Sequence, residues 1–258
     1  MHGGVNGSTG CIQKAVFDCK DSILWCIPSK FATLSDKTHG MRVIDLSTWK
    51  RQAHFEFFYR MDYPQYNVCA NVDVTHFLQE TRRKGLSFYY SMLFAVTHAA
   101  NRCEPFRYRI RADKQVVLHD RVHPSFTDMD ADTTDELFKM VLSEVGVNSL
   151  SEYVALTKER SAAQRTYFDI PGIEGRDDLL YITCLPWISF THLSHTIRLD
   201  RNDAVPRISW GKYFVQEGKT WLPFSVQAHH AFVDGIHVGQ YLSELQLFLE
   251  NWSGEEGD

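Results

Sequence analysis

The chain has 258 residues, 44% of them hydrophobic and 23% charged, with a formal net charge of −5. That length and composition support one sizeable globular core. The mild acidity gives no polybasic surface for nucleic acid or membrane, and no apolar run approaches the roughly 18 residues of a bilayer span.

In chain order, residues 1–40 differ from the rest. Gly3, Gly4, Gly7 and Gly10 cluster there, as do Cys11, Cys19 and Cys26, and periodicity is weak. They read as an N-terminal extension, either a flexible, disordered arm or an upstream mis-start ahead of Met41. Residues 41–258 read as a single domain without internal repeats. Phe55–Arg60 and Val68–Val74 read as strands. A helix capped by Asp73 or Thr75 runs to Arg83 and stops before Gly85. Ser87–Arg102 is a long apolar helix with Phe88, Leu93, Val96 and Ala100 among its buried positions. Arg107–Ala112 and Gln115–His119 form a hairpin across Asp113-Lys114. Asp130–Asp135 is an acidic loop, Ser149–Arg165 an amphipathic helix, and Asp169–Asp178 a loop carrying Pro-Gly. Leu180–Cys184, Ser194–Leu199, Arg207–Gln216 and Trp221–Ala228 are strands. Val238, Tyr241, Leu242, Leu245, Phe248, Leu249 and Trp252 then recur at helical spacing. Strands and helices in this order predict an α/β fold, a two-layer sandwich whose mixed β-sheet is packed by helices. The six cysteines lack metal spacing, and those in apolar segments read as reduced core residues. The expected setting is cytoplasmic, with no nucleic-acid or membrane partner.

Gln227-Ala228-His229-His230-Ala231-Phe232-Val233-Asp234-Gly235-Ile236-His237 carries most of the chemistry. It falls where the period changes from strand to helix, a seam at which scaffolds display reactive side chains. An imidazole titrates near neutrality and suits general-base work. His230 is therefore a candidate base for a hydroxyl attacking an acyl carbon. Asp234 either accepts a ring-nitrogen proton or anchors the loop through an arginine. A zinc reading through His229, His230 and His237 is also available, but adjacent strand residues point to opposite faces, and neither HExxH nor a CxxC pair is present.

The same segment resembles the active-site signature of the chloramphenicol acetyltransferase family, and its shorter HHxxxDG core occurs across the wider superfamily of CoA-dependent acyltransferases. Other segments narrow the match. Trp49-Lys50-Arg51-Gln52-Ala53-His54-Phe55-Glu56-Phe57 is similar to the family's opening Trp-x-Arg-x-x-His-Phe-Glu. Phe106-Arg107-Tyr108-Arg109-Ile110, Val122-His123-Pro124-Ser125-Phe126-Thr127, Leu185-Pro186-Trp187-Ile188-Ser189-Phe190 and Gly211-Lys212-Tyr213 follow in the family's order, covering roughly residues 41–252. The resemblance implies a chloramphenicol-acetyltransferase-like fold and acetyl-CoA-dependent O-acetylation of chloramphenicol, an antibiotic-inactivating reaction. It implies acetyl-CoA as co-substrate, no metal, a small-molecule acceptor, and a homotrimer with its active site at the subunit interface. His230 takes the general-base role, Asp234 pairs with Arg51, and Thr183 stands where the family has an oxyanion-binding serine. Ser209 replaces a threonine near the same intermediate. Lys212, Tyr213 and Trp187 fall at the nucleotide end of CoA.

The resemblance departs at the acceptor site, which the family lines with large apolar side chains. Phe57 and Phe58 keep that character. Met129 replaces a phenylalanine, Leu193 and His195 stand for Phe and Leu, and Arg207 replaces an apolar residue. A buried, unpaired guanidinium is costly, so Arg207 must face water, pair with a carboxylate or meet a polar acceptor. The departures point to an alternative: the same mechanism applied to a more polar hydroxyl or amine acceptor.

Overall fold

The computed structural model describes residues 40–129, 136–146, 149–197 and 199–254. The readings of residues 1–39 and of the acidic stretch 130–135 lie outside the described residues.

One large mixed sheet organises the chain. Its strands are β2 (Gln65–Asp73), β5 (His123–Met129), β6 (Phe138–Leu142), β7 (Leu179–Leu185), β8 (Arg207–Gly211), β9 (Phe214–Gln216) and β10 (Lys219–His229). The order is β2-β10-β8-β7-β5-β6, with β9 paired to β10. The central β5, β7 and β8 run parallel, and β2, β10 and β6 join them antiparallel. A smaller antiparallel sheet holds β1 (Met41–Val43), β4 (Val116–His119) and β3 (Tyr108–Ile110), in that order. The helices are α1 (Gln52–Tyr59), α2 (Thr75–Arg83), α3 (Phe88–Arg102), α4 (Leu150–Ala163) and α5 (Gly235–Asn251).

The alternation of β10 assigns the two faces of the large sheet. Leu222, Phe224, Val226 and Ala228 point to the helical layer and are buried. There Phe224 meets Tyr241 of α5, and Trp210 of β8 meets Tyr89 of α3. Burying such aromatic side chains is worth roughly 1.5–3 kcal/mol apiece. Ser225, Gln227 and His229 point the other way and are also buried. Register extends this polar face across the sheet. Thr183, Ser209, Ser225 and Cys69 stand opposite one another in one row, and Tyr181, Arg207, Gln227 and Asn67 in the next. The irregular segments 186–197 and 199–206 cover the polar face. Asn67 donates to the Leu193 carbonyl at 2.6 Å, Gln65 to the Asp203 carbonyl at 2.6 Å, and His229 Nε2 lies 3.1 Å from the Arg201 carbonyl.

The predicted helices at 75–83, 88–102, 150–163 and the C-terminus form, as do the Tyr108–His119 hairpin and the strands at β2, β7 and β10. Ser87 caps α3 by accepting from the Tyr90 amide at 3.4 Å, and Asp73 accepts from the Thr75 amide at 3.0 Å.

Three elements differ from expectation. The expected strand Phe55–Arg60 is instead helix through Tyr59, with Arg60 as the C-cap. Its aromatic run satisfies both periods, and the contacts obey the helical one. Phe55 is buried, with Phe58 and Tyr59 packed beside it at i+3 and i+4, whereas Phe57 is exposed. Residues 194–197 and 199 are irregular, because side-chain bonds such as His195–Ser209 hold this stretch instead of a ladder. The strand over 207–216 breaks at Lys212-Tyr213, where the Lys212 amide turns to the Ile188 carbonyl at 2.7 Å. β9 then returns to β10 through Glu217 and Gly218, both at positive φ (52° and 77°), the geometry of a two-residue hairpin turn.

Gly211 lies where that break forms. A Cβ there would stand 2.4 Å from the Ile188 carbonyl oxygen and 2.9 Å from the Phe190 ring. Gly211→Ala is expected to force the 186–190 turn away from β8 and to destabilise the fold by about 1–3 kcal/mol. Urea unfolding checks this; an unchanged midpoint would contradict the close approach.

Candidate active site

The His-His-Asp-Gly segment lies between the end of β10 and the start of α5. His230 follows the last β10 residue, and its amide donates to the Pro64 carbonyl at 2.8 Å. The period change from strand to helix thus places His230 on a short, doubly anchored connection. Asp234 forms the N-cap of α5, and its amide donates to His237 Nδ1 at 2.9 Å.

Arg51, at the N-cap of α1, closes the loop from the other side. Its guanidinium donates to both Asp234 oxygens, at 2.6 and 2.7 Å, and also to the His230 carbonyl at 3.0 Å and the Ala231 carbonyl at 2.6 Å. One side chain, 180 residues away in sequence from Ala231, satisfies four acceptors of the 230–234 loop. A planar fork of this kind matches a carboxylate bidentately. The Arg51 hydrogen bonds hold the Asp234 carboxyl below its ordinary value against the opposing effect of partial burial.

His230 is half-buried, with its side chain 34% exposed. Its ring stacks on Phe58, with centroids 4.0 Å apart and planes 6° from parallel, and the Tyr66 ring lies 4.4 Å away. Nδ1 lies 3.2 Å from Asp234 Oδ1 but has no hydrogen-bond partner. Arg51 already donates to both Asp234 oxygens. His229 is a structural histidine. Its Nδ1 accepts from the Ala231 amide at 3.1 Å while Nε2 meets the Arg201 carbonyl. Both nitrogens are engaged, which removes His229 from the zinc reading. Burial pulls its pKa down to about 4.

Thr183 and Ser209 stand opposite one another on β7 and β8, on the polar face of the sheet. Thr183 is half-buried; Ser209 is buried, and its hydroxyl lies 3.0 Å from His195 Nε2. Burial, aided by the nearby Arg207 charge, lowers the His195 pKa to about 4. The neutral ring is thus a hydrogen-bonding group, not a cation. Arg207 is buried and paired: Nη2 lies 2.6 Å from Asp203 Oδ2, and Nη1 donates to Gln65 Oε1 at 3.2 Å. Of the options open to it, two are realised together, a carboxylate partner and a polar acceptor. Its guanidinium staples the covering segment to the sheet.

The other proposed residues fall in three places. Lys212 and Tyr213 are exposed at the break after β8, Tyr213 accepts from Arg82 at 3.0 Å, and Trp187 is exposed on the turn joined to Lys212 through Ile188. Phe57 and Phe58 are on α1, and only Phe58 touches His230. Leu193 gives its carbonyl to Asn67, and Met129 sits apart at the exposed end of β5. A cleft of about 360 Å³ is walled by Cys69, Asn71, Phe190, Phe214 and Pro223, and none of the proposed site residues lines it.

Sequence reasoning missed Tyr66, Asn67 and Asp203. Asn67 carried a usable signal: Gln65, Asn67 and Cys69 alternate in β2 as Ser225, Gln227 and His229 do in β10, marking a shared polar face. Asp203 and Tyr66 carried none, since each acts through a tertiary contact.

A pH dependence follows. His195 and His229 are neutral in the folded protein with pKa values near 4, against 6.5 for the ordinary group. Because the unfolded chain binds more protons between those values, stability is full above about pH 6.5 and falls as pH drops toward 4. Urea midpoints measured from pH 7.5 to 4 should show this decline, and His195→Asn should make it shallower. A flat profile would contradict the buried, neutral assignment.

A family model described as chloramphenicol acetyltransferase matches residues 40–246. The chain is 31% identical over 227 residues to the chloramphenicol acetyltransferase of Klebsiella sp, covering 86% of this chain and 99% of that one. It is 29% identical over 221 residues to that of Clostridium perfringens, covering 83% and 98%. Among solved structures it is similar to a chloramphenicol acetyltransferase at 25% identity and a TM-score of 0.73, covering 81% of this chain and all 100% of that chain. A probable dihydrolipoamide acetyltransferase from Listeria monocytogenes shares the fold alone, at 13% identity and a TM-score of 0.57 over 80% of this chain and 92% of that one.

Proposed function

The chain belongs to the chloramphenicol acetyltransferase family, and from that premise we propose that it transfers the acetyl group of acetyl-CoA to a hydroxyl of chloramphenicol, inactivating the antibiotic, with His230 as general base. The observation that carries the reading is the four-acceptor grip of Arg51 on the 230–234 loop, which holds a half-exposed imidazole at a fixed angle.

In this reading the acceptor hydroxyl gives its proton to His230 Nε2 as its oxygen attacks the thioester carbonyl. The carbonyl oxygen takes up negative charge, and the Thr183 hydroxyl donates to it. Ser209, in the same row of the sheet, supports that intermediate. The carbon–sulfur bond then breaks, and the proton on the imidazolium passes to the leaving thiolate. The sequence needs neither a metal nor an acyl-enzyme. Asp234 and Arg51 act on the loop, not on the substrate.

The exposed group of Lys212, Tyr213, Trp187 and Arg82 suits the nucleotide end of CoA. Two aromatic faces match an adenine ring, and the cations match phosphates. We place the enzyme in the cytoplasm, where acetyl-CoA is available, as a homotrimer in which the neighbouring subunit completes the acceptor site.

A second reading keeps the mechanism and changes the acceptor. The Ser209–His195 bond and the Arg207–Asp203 pair make the sheet face polar where the family is apolar. That face favours an acceptor with more hydrogen-bonding groups. Chloramphenicol turning over more slowly than a polyhydroxylated acceptor would favour this reading over the first.

Thiol release from acetyl-CoA with chloramphenicol provides the test. His230→Ala is expected to lower kcat by at least about 1,000-fold, toward the upper end of general-base effects. Thr183→Val should lower it about 100- to 1,000-fold, the cost of one oxyanion donor. Turnover that survives His230→Ala would reject the assigned base.

A further inference from the structure

Beside the candidate base stands a residue that neither the signature nor the acceptor-site comparison singles out. Tyr66 of β2 places its ring 4.4 Å from that of His230, tilted by 31°, so that the imidazole is flanked by Tyr66 and Phe58. Register explains the position. Tyr66 stands opposite Ala228, two residues before His230, and its neighbour Gln65 stands opposite His229. The ring therefore reaches the base from a strand, the most rigid support nearby, while Phe58 reaches it from α1.

The Tyr66 hydroxyl is buried and has no hydrogen-bond partner, and the same holds for His230 Nδ1. A phenol that makes no bond in a buried setting is destabilising relative to phenylalanine, which would fill the same space. Burial and the Asp234 charge push its pKa up to about 12. It stays protonated at every working pH, and its oxygen is free to accept from a donor. A second unpartnered atom, His230 Nδ1, becomes a stronger donor once the imidazole is protonated.

We propose that Tyr66 is a positioning residue for the reaction, holding His230 from β2 and stabilising its imidazolium form through the ring face and the hydroxyl oxygen. The proposal rests on His230 being the base. In the resting enzyme neither Nδ1 nor the Tyr66 hydroxyl has a hydrogen-bond partner, and the two rings are 4.4 Å apart. When Nε2 takes the acceptor's proton, the positive charge is spread over the ring between two aromatic faces, and the Nδ1–H turns to the Tyr66 oxygen beside Asp234. A π face favours a cation, and a hydrogen bond to a charged donor is stronger than one to a neutral donor. Both effects act mainly on the protonated state. They raise the rate of proton abstraction without tightening substrate binding.

The test uses the full chain and two variants, Tyr66→Phe and Tyr66→Leu. Tyr66→Phe is expected to lower kcat about tenfold with KM for chloramphenicol and acetyl-CoA unchanged, and to leave the urea midpoint equal or higher. Tyr66→Leu removes the π face as well. It should lower kcat further and move the acid limb of the kcat/KM profile, and the His230 titration followed by NMR of ring-labelled histidine, to lower pH. A merely structural role predicts the reverse: a lowered urea midpoint with kcat per folded molecule and the titration unmoved. That result would overturn the proposal. His230→Ala is the control that separates the two levels. If it abolishes turnover while both Tyr66 variants keep wild-type kcat and titration, Tyr66 alone is wrongly assigned. If His230→Ala remains active, the base assignment fails and the Tyr66 role falls with it.

Discussion

The Arg51 guanidinium is the interaction on which the site depends. It joins α1, near the start of the described chain, to the loop between β10 and α5 near its end. The side chain does more than neutralise Asp234. Two of its four bonds go to the backbone carbonyls of His230 and Ala231, and these fix the peptide planes that carry the imidazole. A carboxylate alone could not do this, since it presents no donors, and a lysine could not match the planar fork. Stranding one charge of a fully buried pair typically costs about 3–5 kcal/mol; this pair is part-buried and costs less, but either substitution disturbs the loop as well as the pair.

The rest of the fold provides two things that this clasp requires. The first is a rigid strand leading into His230. β10 is paired on both sides, to β2 and to β8, and packs its apolar side against α5. The second is a polar floor. Buried Ser209, Ser225, Arg207, Gln227 and His229 form hydrogen bonds with one another's neighbours or with the covering segment. Burying so many polar groups is tolerable only because most find partners. The exceptions that bear on chemistry, the Tyr66 hydroxyl and His230 Nδ1, sit together at the base. Other unpartnered buried atoms are spread through the fold, among them Arg207 Nε and Gln227 Oε1 of the floor itself.

Much of the site was legible from the chain because it is local. Gln227–His237 carries its own strand, loop and helix start, and the change of period from two to 3.6 placed His230 at the seam. The Arg51–Asp234 pair was legible only through the family resemblance, because nothing in either segment alone marks a partner 183 residues away. Arg207 shows the limit of reasoning by burial cost. The rule that its charge needs a partner was sound, but Asp203 lies in the irregular 199–206 segment, whose course no periodicity describes. The misreading of Phe55–Arg60 has a similar origin. Three consecutive aromatic residues fit a strand and a helix equally well, and tertiary packing of Phe55 against Trp49 and Phe232 decides for the helix.

A double-mutant cycle across the clasp tests the central claim most directly. Steady-state kcat/KM for acetyl transfer would be measured for the wild type, Arg51→Met, Asp234→Asn and the double variant. If the two side chains act as one device that orients His230, the double variant will lose little more activity than the worse single variant, leaving a coupling of about 1–3 kcal/mol. Losses that simply multiply would mean that the two residues act independently, and the account of a single guanidinium holding the base in place would be wrong.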